Sequence, residues 1–366
     1  MSDPLEPGFL HRLDQPPRKV AVLRASRIGD FICAGPALWA LRGALPQSEI
    51  TLITLPMLEP LAARLPYIDR YLPFPGFPGL AEQFFDARKA AGFFREMQAE
   101  EFDLAIQMQG SGVNSNPFML LLGASWTAGF IRPGDPPGLL DAALPIPQSG
   151  HEIRRVLALA EFLGAQARGE ETVYPLLDED RRAAADLLQS ARPPLIGLHP
   201  AARDLTRRWL IERFQAVARE LLNRHGGTLV ILGDELARSE GGSVDARGWP
   251  ERSFLDLTGK TSLPVLGAVI ERLAILITND SGPAHIAYAL GTPTVTIFGG
   301  KDDQRYRALQ QGPFRMLVYP VPCRPCTYTE CPIDYLCLKK VGVDRAVDAA
   351  LEVIRWPKNK IRENIH

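Results

Sequence analysis

A chain of 366 residues, 46% hydrophobic and 23% charged, has the length of two ordinary domains and the composition of a soluble globular enzyme. Its 41 basic and 42 acidic side chains leave a formal net charge of −1, so there is no basic field to hold a nucleic acid, and no Lys/Arg cluster suggests one. The longest apolar run, Pro117 to Leu122, is far below the ~20 residues that span a bilayer.

Residues 1–18 carry Pro4, Pro7, Pro16 and Pro17 and lack the apolar core of a signal peptide, so a disordered lead-in and a cytoplasmic chain are expected. Lys19 to Arg24 (KVAVLR) is a buried-strand run. Ala25 to Gly29 reads as a tight loop, and a helix is predicted from about Asp30 to Leu45 before the next strand, Ile50 to Thr54. In this βαβ unit Gly29 allows the sharp turn that leaves Asp30 at the helix start, facing the crevice beyond the strand ends. A carboxylate there is favoured by the helix dipole and is available to accept a proton from a hydroxyl, as a general base does. A plain N-cap is the simpler use of the same residue. The loop lacks the glycines of G-x-G-x-x-G, which argues against a nicotinamide enzyme.

Strands follow near Asp69 to Pro73, Leu104 to Met108 and Trp126 to Ile131. Between the first two, Leu80, Phe84, Ala87, Ala91 and Phe94 fall on one helical stripe, widened by Phe85 and Phe93. That stripe reads as a core face, with docking of an apolar acceptor or a membrane as its other use. Pro133 to Pro147 reads as a loop or lid, and His151 to Leu163 as an amphipathic helix. From about Gln166 to Pro194 only a linker and a helix, Asp178 to Gln189, are expected, which puts a domain boundary near residue 175. A second alternation then begins with Leu195 to His199, a helix from about Ile211 to Arg224, and Thr228 to Leu232. The final helix, Asp344 to Arg355, can pack back on the first domain. The pattern implies an α/β protein of two Rossmann-like doubly wound domains, residues 19–175 and 176–366, with a cleft between them.

Ile275 to Gly299, ILITNDSGPAHIAYALGTPTVTIFG, compresses strand, helix and strand into one more βαβ unit. Its helix opens at Asp280, Ser281 and Gly282, with His285 one turn on. Orphan N–H groups and the dipole make such an opening attractive to a phosphate or diphosphate. An ordinary capped helix, with His285 a satisfied side chain, explains the same residues. Four cysteines lie in one short loop, Cys323, Cys326, Cys331 and Cys337, spaced C-x2-C-x4-C-x5-C, while Cys33 reads as a core residue. Disulfides are rare in the cytosol, so the four read as thiolates around a structural zinc or iron. A set of buried reduced thiols, stiffened by Pro322, Pro325 and Pro332, is the alternative.

RASRIGD (Arg24 to Asp30), HPAARDLTRRWLIERF (His199 to Phe214) and NDSGPAHIAYALGTPTVTIFG (Asn279 to Gly299) together resemble the signature stretches of glycosyltransferase family 9, the ADP-heptose:lipopolysaccharide heptosyltransferases. The resemblance implies a GT-B fold and an inverting transfer that requires no metal for catalysis; a non-catalytic sugar-nucleotide-binding subunit, or an epimerase of GT-B type, is the other reading. It implies a nucleoside diphosphate sugar as donor, with ADP-heptose favoured, and a saccharide or lipid-linked acceptor of the cell envelope. It further implies peripheral contact with the inner face of the cytoplasmic membrane. Asp30 would be the catalytic base. Arg207, Asp280, Ser281, Gly282 and His285 would hold the diphosphate, and Glu235, in competition with Asp234, the nucleoside. Arg24, Arg27 and Gln109 would lie on the acceptor side. Lys301 departs from the Ser or Thr usual in the family, and Val113 and Asn114 stand where a basic residue is usual.

Overall fold

The computed structural model describes residues 3–235, 244, 247–250 and 252–354. The chain divides into two compact units, Met1–Thr172 and Val173–His366. In the first unit a 3-10 turn, Phe9–Arg12, precedes β1 (Lys19–Leu23), α1 (Ile28–Ala44), β2 (Glu49–Thr54), α2 (Glu59–Ala62) and β3 (Arg70–Pro73). Then come α3 (Ala87–Ala99), β4 (Leu104–Gln107), α4 (Ser115–Leu120), β5 (Trp126–Ile131), β6 (Ala142–Pro145) and α5 (Glu152–Leu163). The second unit starts with α6 (Asp178–Leu187), β7 (Leu195–His199), α7 (Ile211–His225), β8 (Thr228–Ile231) and β9 (Phe254–Asp256). It continues with α8 (Leu263–Arg272), β10 (Ile275–Asn279), α9 (Gly282–Leu290), β11 (Thr294–Phe298) and α10 (Asp303–Tyr306). Strand β12 (Phe314–Val318) and helices α11 (Leu336–Lys339) and α12 (Val343–Ile354) complete it.

Each unit contains one six-stranded sheet, ordered β3-β2-β1-β4-β5-β6 in the first and β12-β11-β10-β7-β8-β9 in the second. Counted from the first strand of each unit, the two orders are the same. Every pairing is parallel: Val22 lies beside Leu52 and Ile106, and Ile277 beside Leu198 and Val295. Parallel strands covered by helices on both faces carry continuous apolar runs, which is why VAVL, ITLIT and ILIT are buried throughout. No helix among the described residues is long and apolar enough to cross a membrane.

Several expectations need correcting. The lead-in is ordered from Asp3 onward. Phe9 is buried edge-on to Trp126 with ring centroids 6.0 Å apart, and the Ala143 N–H of edge strand β6 donates to the Pro4 carbonyl at 2.8 Å. Proline content reports local stiffness and carries no information on a buried anchor or an open sheet edge. Gly29 makes no turn, because α1 already begins at Ile28, which leaves Asp30 in the first helical turn. The lid stretch, Pro133 to Pro147, contains strand β6.

The aromatic stripe is out of phase with the helix it was assigned to. Asp86 accepts from the Arg88 and Lys89 N–H groups and caps α3, so Leu80 and Phe84 fall outside it. Phe84 is 85% exposed, while Phe93 and Phe94 join Phe74, Phe77 and Phe118 in a cluster with centroids 5.1 to 6.0 Å apart. The apolar face of α12 belongs to its own unit, where Ala346, Val347, Ala350 and Val353 pack with Ile277, Val295 and Leu317. Arg355, its expected last residue, lies outside the described residues.

Because Phe118 is fully buried at the centre of the aromatic cluster, Phe118→Ala is expected to lower unfolding free energy by ~3–5 kcal/mol, whereas Phe84→Ala should stay within ~0.5 kcal/mol. Urea denaturation of both variants checks this.

Candidate active site

In each sheet the strand order reverses between two neighbours, β1 and β4 in one and β7 and β10 in the other. The chains leaving such a pair go to opposite faces, opening a crevice at the strands' carboxyl ends where ligands bind. The residues singled out in the sequence cluster at these two places.

In the first unit, Arg24 follows β1 and is 3% exposed. Its guanidinium donates to the Met108 carbonyl at 2.5 Å, to the Asp30 carbonyl at 3.1 and 3.3 Å and to Glu152 Oε1 at 2.9 Å. It also lies 3.4 Å from Asp30 Oδ1. Arg24 is therefore a buried support behind Asp30, because its planar fork is directed at protein groups. The Asp30 side chain itself keeps 31% of its exposure. Arg27, half exposed, pairs with Glu82 at 2.8 Å. Gln109 follows β4 and accepts from the Ser26 hydroxyl at 2.6 Å, so the loops after β1 and β4 are tied together. Glu152, which the sequence did not single out, is 4% exposed and takes a second guanidinium, Arg155, at 3.1 Å on its other oxygen.

In the second unit, His199 ends β7 and Asn279 ends β10. Asn279 donates to the Pro200 carbonyl at 2.7 Å and accepts from the Trp209 N–H at 3.0 Å, fixing the intervening turn Leu205–Arg207. Arg207 on that turn reaches Asp280 Oδ2 through Nη2 at 2.8 Å and Nε at 3.3 Å. Burial opposes its charge, but the Asp280 carboxylate and the bond to it, with Asp204 and Tyr306 behind, raise the guanidinium's pKa. Asp280 is 1% exposed, and its Oδ1 is buried with no hydrogen-bond partner among the described residues. Lys301 pairs with Asp204 at 3.2 Å, so the cation found in place of a smaller hydroxyl residue extends the same charge network.

Helix α9 opens at Ser281 without a side-chain cap, because the Ser281 hydroxyl faces inward to His199 Nδ1 at 3.2 Å and the Asn279 carbonyl at 3.2 Å. The N–H of Gly282 thus opens the helix beside Arg207. His285, 7% exposed, packs edge-on against Tyr288 and Tyr306. Glu235 and Asp234 follow β8 and are both exposed, and no hydrogen bond among the described residues fixes Glu235.

The cysteine loop lies against this turn. Thr206 donates to the Thr329 carbonyl at 3.2 Å and, through its hydroxyl, to the Tyr328 carbonyl at 2.9 Å. The Gly300 N–H donates to the Thr206 carbonyl at 3.0 Å, and the Cys326 N–H to the Gly300 carbonyl at 2.6 Å. A Cβ on Gly299 would stand 2.0 Å from the Thr206 carbonyl oxygen, so only glycine admits this contact. Cys337 is buried in the core, and burial raises its thiol pKa. Burial also pushes the Cys331 thiol up, but the N–H groups of Asp334, Ile333 and Tyr335 outweigh it and lower that pKa. No three His, Cys, Asp or Glu side chains among the described residues form a metal-holding group, although Cys323 and Cys331 lie near enough to Cys337 for their charges to raise its pKa.

Two Rossmann-like units with parallel six-stranded sheets of one strand order are the make-up of the GT-B fold of glycosyltransferases. Residues 90–336 match the profile of glycosyltransferase family 9 (heptosyltransferase). Lipopolysaccharide heptosyltransferase 2 of Salmonella typhimurium is 26% identical over 297 residues, covering 77% of this chain and 82% of its own. A family 9 glycosyl transferase from Veillonella parvula superposes with a TM-score of 0.76 at 22% identity, covering 92% of this chain and 97% of its own. Escherichia coli ADP-heptose lps heptosyltransferase II does so with a TM-score of 0.74 at 19% identity, covering 92% and 98%. The chain belongs to glycosyltransferase family 9.

His199 supplies a measurable signature of this site. Burial keeps its ring neutral and pushes its pKa down to about 4, against ~6.5 for a free imidazole. Between those values the unfolded chain binds a proton that the folded chain does not. Stability from this group is therefore complete above ~6.5 and is lost as pH falls toward about 4, by roughly 3 kcal/mol. Denaturation at about pH 7 and about pH 4.5 should show the acid loss in the parent protein and a smaller one in His199→Asn.

Proposed function

We propose that the protein transfers a heptosyl group, with inversion, from ADP-heptose to a saccharide of the lipopolysaccharide inner core or a similar lipid-linked envelope acceptor. The first unit would be the acceptor side and the second the nucleotide-sugar side. The observation that carries this reading is the state of Asp30: a carboxylate in the first turn of α1, 31% exposed, held from behind by a buried guanidinium. A residue supported from behind and partly exposed to solvent can receive a proton without losing its position.

In the transfer, the acceptor hydroxyl oxygen attacks the anomeric carbon as Asp30 takes the hydroxyl proton. The bond from that carbon to the diphosphate oxygen breaks with inversion, and ADP leaves. Negative charge developing on the diphosphate would be met by the Gly282 N–H at the start of α9 and by Arg207, whose Nη1 edge is not used by Asp280. Glu235 or Asp234 would contact the nucleoside, and Arg27 and Gln109 the acceptor. His285 would support the α9 turn from its aromatic contacts.

Replacing Asp30 by Asn keeps the shape and removes the basicity. Transfer is expected to fall by ~10²–10⁴-fold while ADP affinity, read by calorimetry, changes less than about twofold. Turnover surviving in Asp30→Asn would overturn the assignment. Arg207→Ala is expected to weaken ADP binding by roughly tenfold or more, from loss of a charged hydrogen bond.

A further inference from the structure

Arg24 is shared between two carboxylates. Its Nη2 lies 2.9 Å from Glu152 Oε1 and 3.4 Å from Asp30 Oδ1, and it also donates to the Asp30 and Met108 carbonyls. The Arg24 and Glu152 side chains are 4% and 5% exposed, so their charges are poorly screened and each is felt strongly by its neighbours. Other charges near Asp30 are themselves paired. Arg27, on the same turn, is held by Glu82 at 2.8 Å, and Arg155 of α5 by Glu152 at 3.1 Å. His151, the cap of α5, accepts from the Ile153 N–H at 3.2 Å.

We infer that Glu152 is a positioning residue that sets the basicity of Asp30 by neutralising the charge of Arg24. The inference rests on Asp30 being the base of the proposed transfer. Alone, a desolvated guanidinium at 3.4 Å would hold Asp30 deprotonated and make it a poor proton acceptor. Glu152 takes the shorter bond and cancels most of that field, while Arg24 keeps the first turn of α1 in place through the Asp30 carbonyl. Arg155 on the second oxygen favours the charged form of Glu152, which supports the compensation. The device separates two jobs of one arginine: its hydrogen bonds hold the base, and its charge is directed elsewhere.

The test is the pH profile of kcat/KM for Glu152→Gln, which keeps the side chain's shape and removes its charge. The acid limb is expected to move down by about one pH unit or more, with plateau turnover reduced about tenfold and the donor KM unchanged. Glu152→Asp should restore the parent profile. Should Glu152→Gln not fold, the double variant Arg24→Gln/Glu152→Gln, which removes both charges, should move the acid limb up. An unmoved acid limb in a folded variant, with only the melting temperature lowered, would show a purely structural pair and overturn the inference. Loss of turnover in Asp30→Asn together with that result would leave the base assignment standing, whereas turnover in Asp30→Asn would remove both.

Discussion

Two parallel strands that send their chains to opposite faces of a sheet leave a notch where backbone groups have no neighbouring strand, and the fold creates this notch twice. Everything polar that matters here is arranged around those notches. After β1 and β4 the groups are a carboxylate, its buried guanidinium and an amide that ties the two loops. After β7 and β10 they are an ion pair, a neutral histidine and an uncapped helix start. Under the proposed transfer the same geometry would receive opposite chemistry, one notch accepting a proton and the other donating to an anion.

Buried charge is the second constraint. Removing an ion from water costs several kcal/mol unless partners compensate, and one unpartnered member is worse than none. Arg24 with Glu152 and Arg155, and Arg207 with Asp280, Asp204 and Lys301, meet this requirement by forming chains of alternating sign. Such chains hold their members to one geometry. The Oδ1 of Asp280 stands out against them, a buried acceptor without a hydrogen-bond partner among the described residues.

Much of the fold was legible because parallel strands are written as unbroken apolar runs. Leu195–His199 and Trp126–Ile131 are delimited to the residue in the sequence, and α1, α5, α6, α7 and α12 to within a few positions, with α3 the exception. The errors share a cause. Phe9, the phase of the aromatic stripe and the packing of α12 all depend on contacts with residues distant in sequence, which local periodicity does not encode. Site residues followed the same rule. Asp30, Arg207 and Asp280 were visible because they sit in short motifs beside strand ends. Glu152 was not, since 128 residues separate it from Arg24, and a glutamate at the start of an amphipathic helix looks like any dipole-favoured carboxylate. For Arg24 the motif gives the residue's address but not that its side chain turns inward.

The ladder that runs from Thr329 through Thr206 and Gly300 to Cys326 makes the cysteine loop and the arginine-bearing turn one mechanical element. Its rungs are backbone amides, and a local opening that frees one leaves the others without partners. Protection against amide hydrogen exchange would therefore rise and fall together at Thr206, Gly300 and Cys326, residues far apart in the chain but belonging to a single cooperative opening unit.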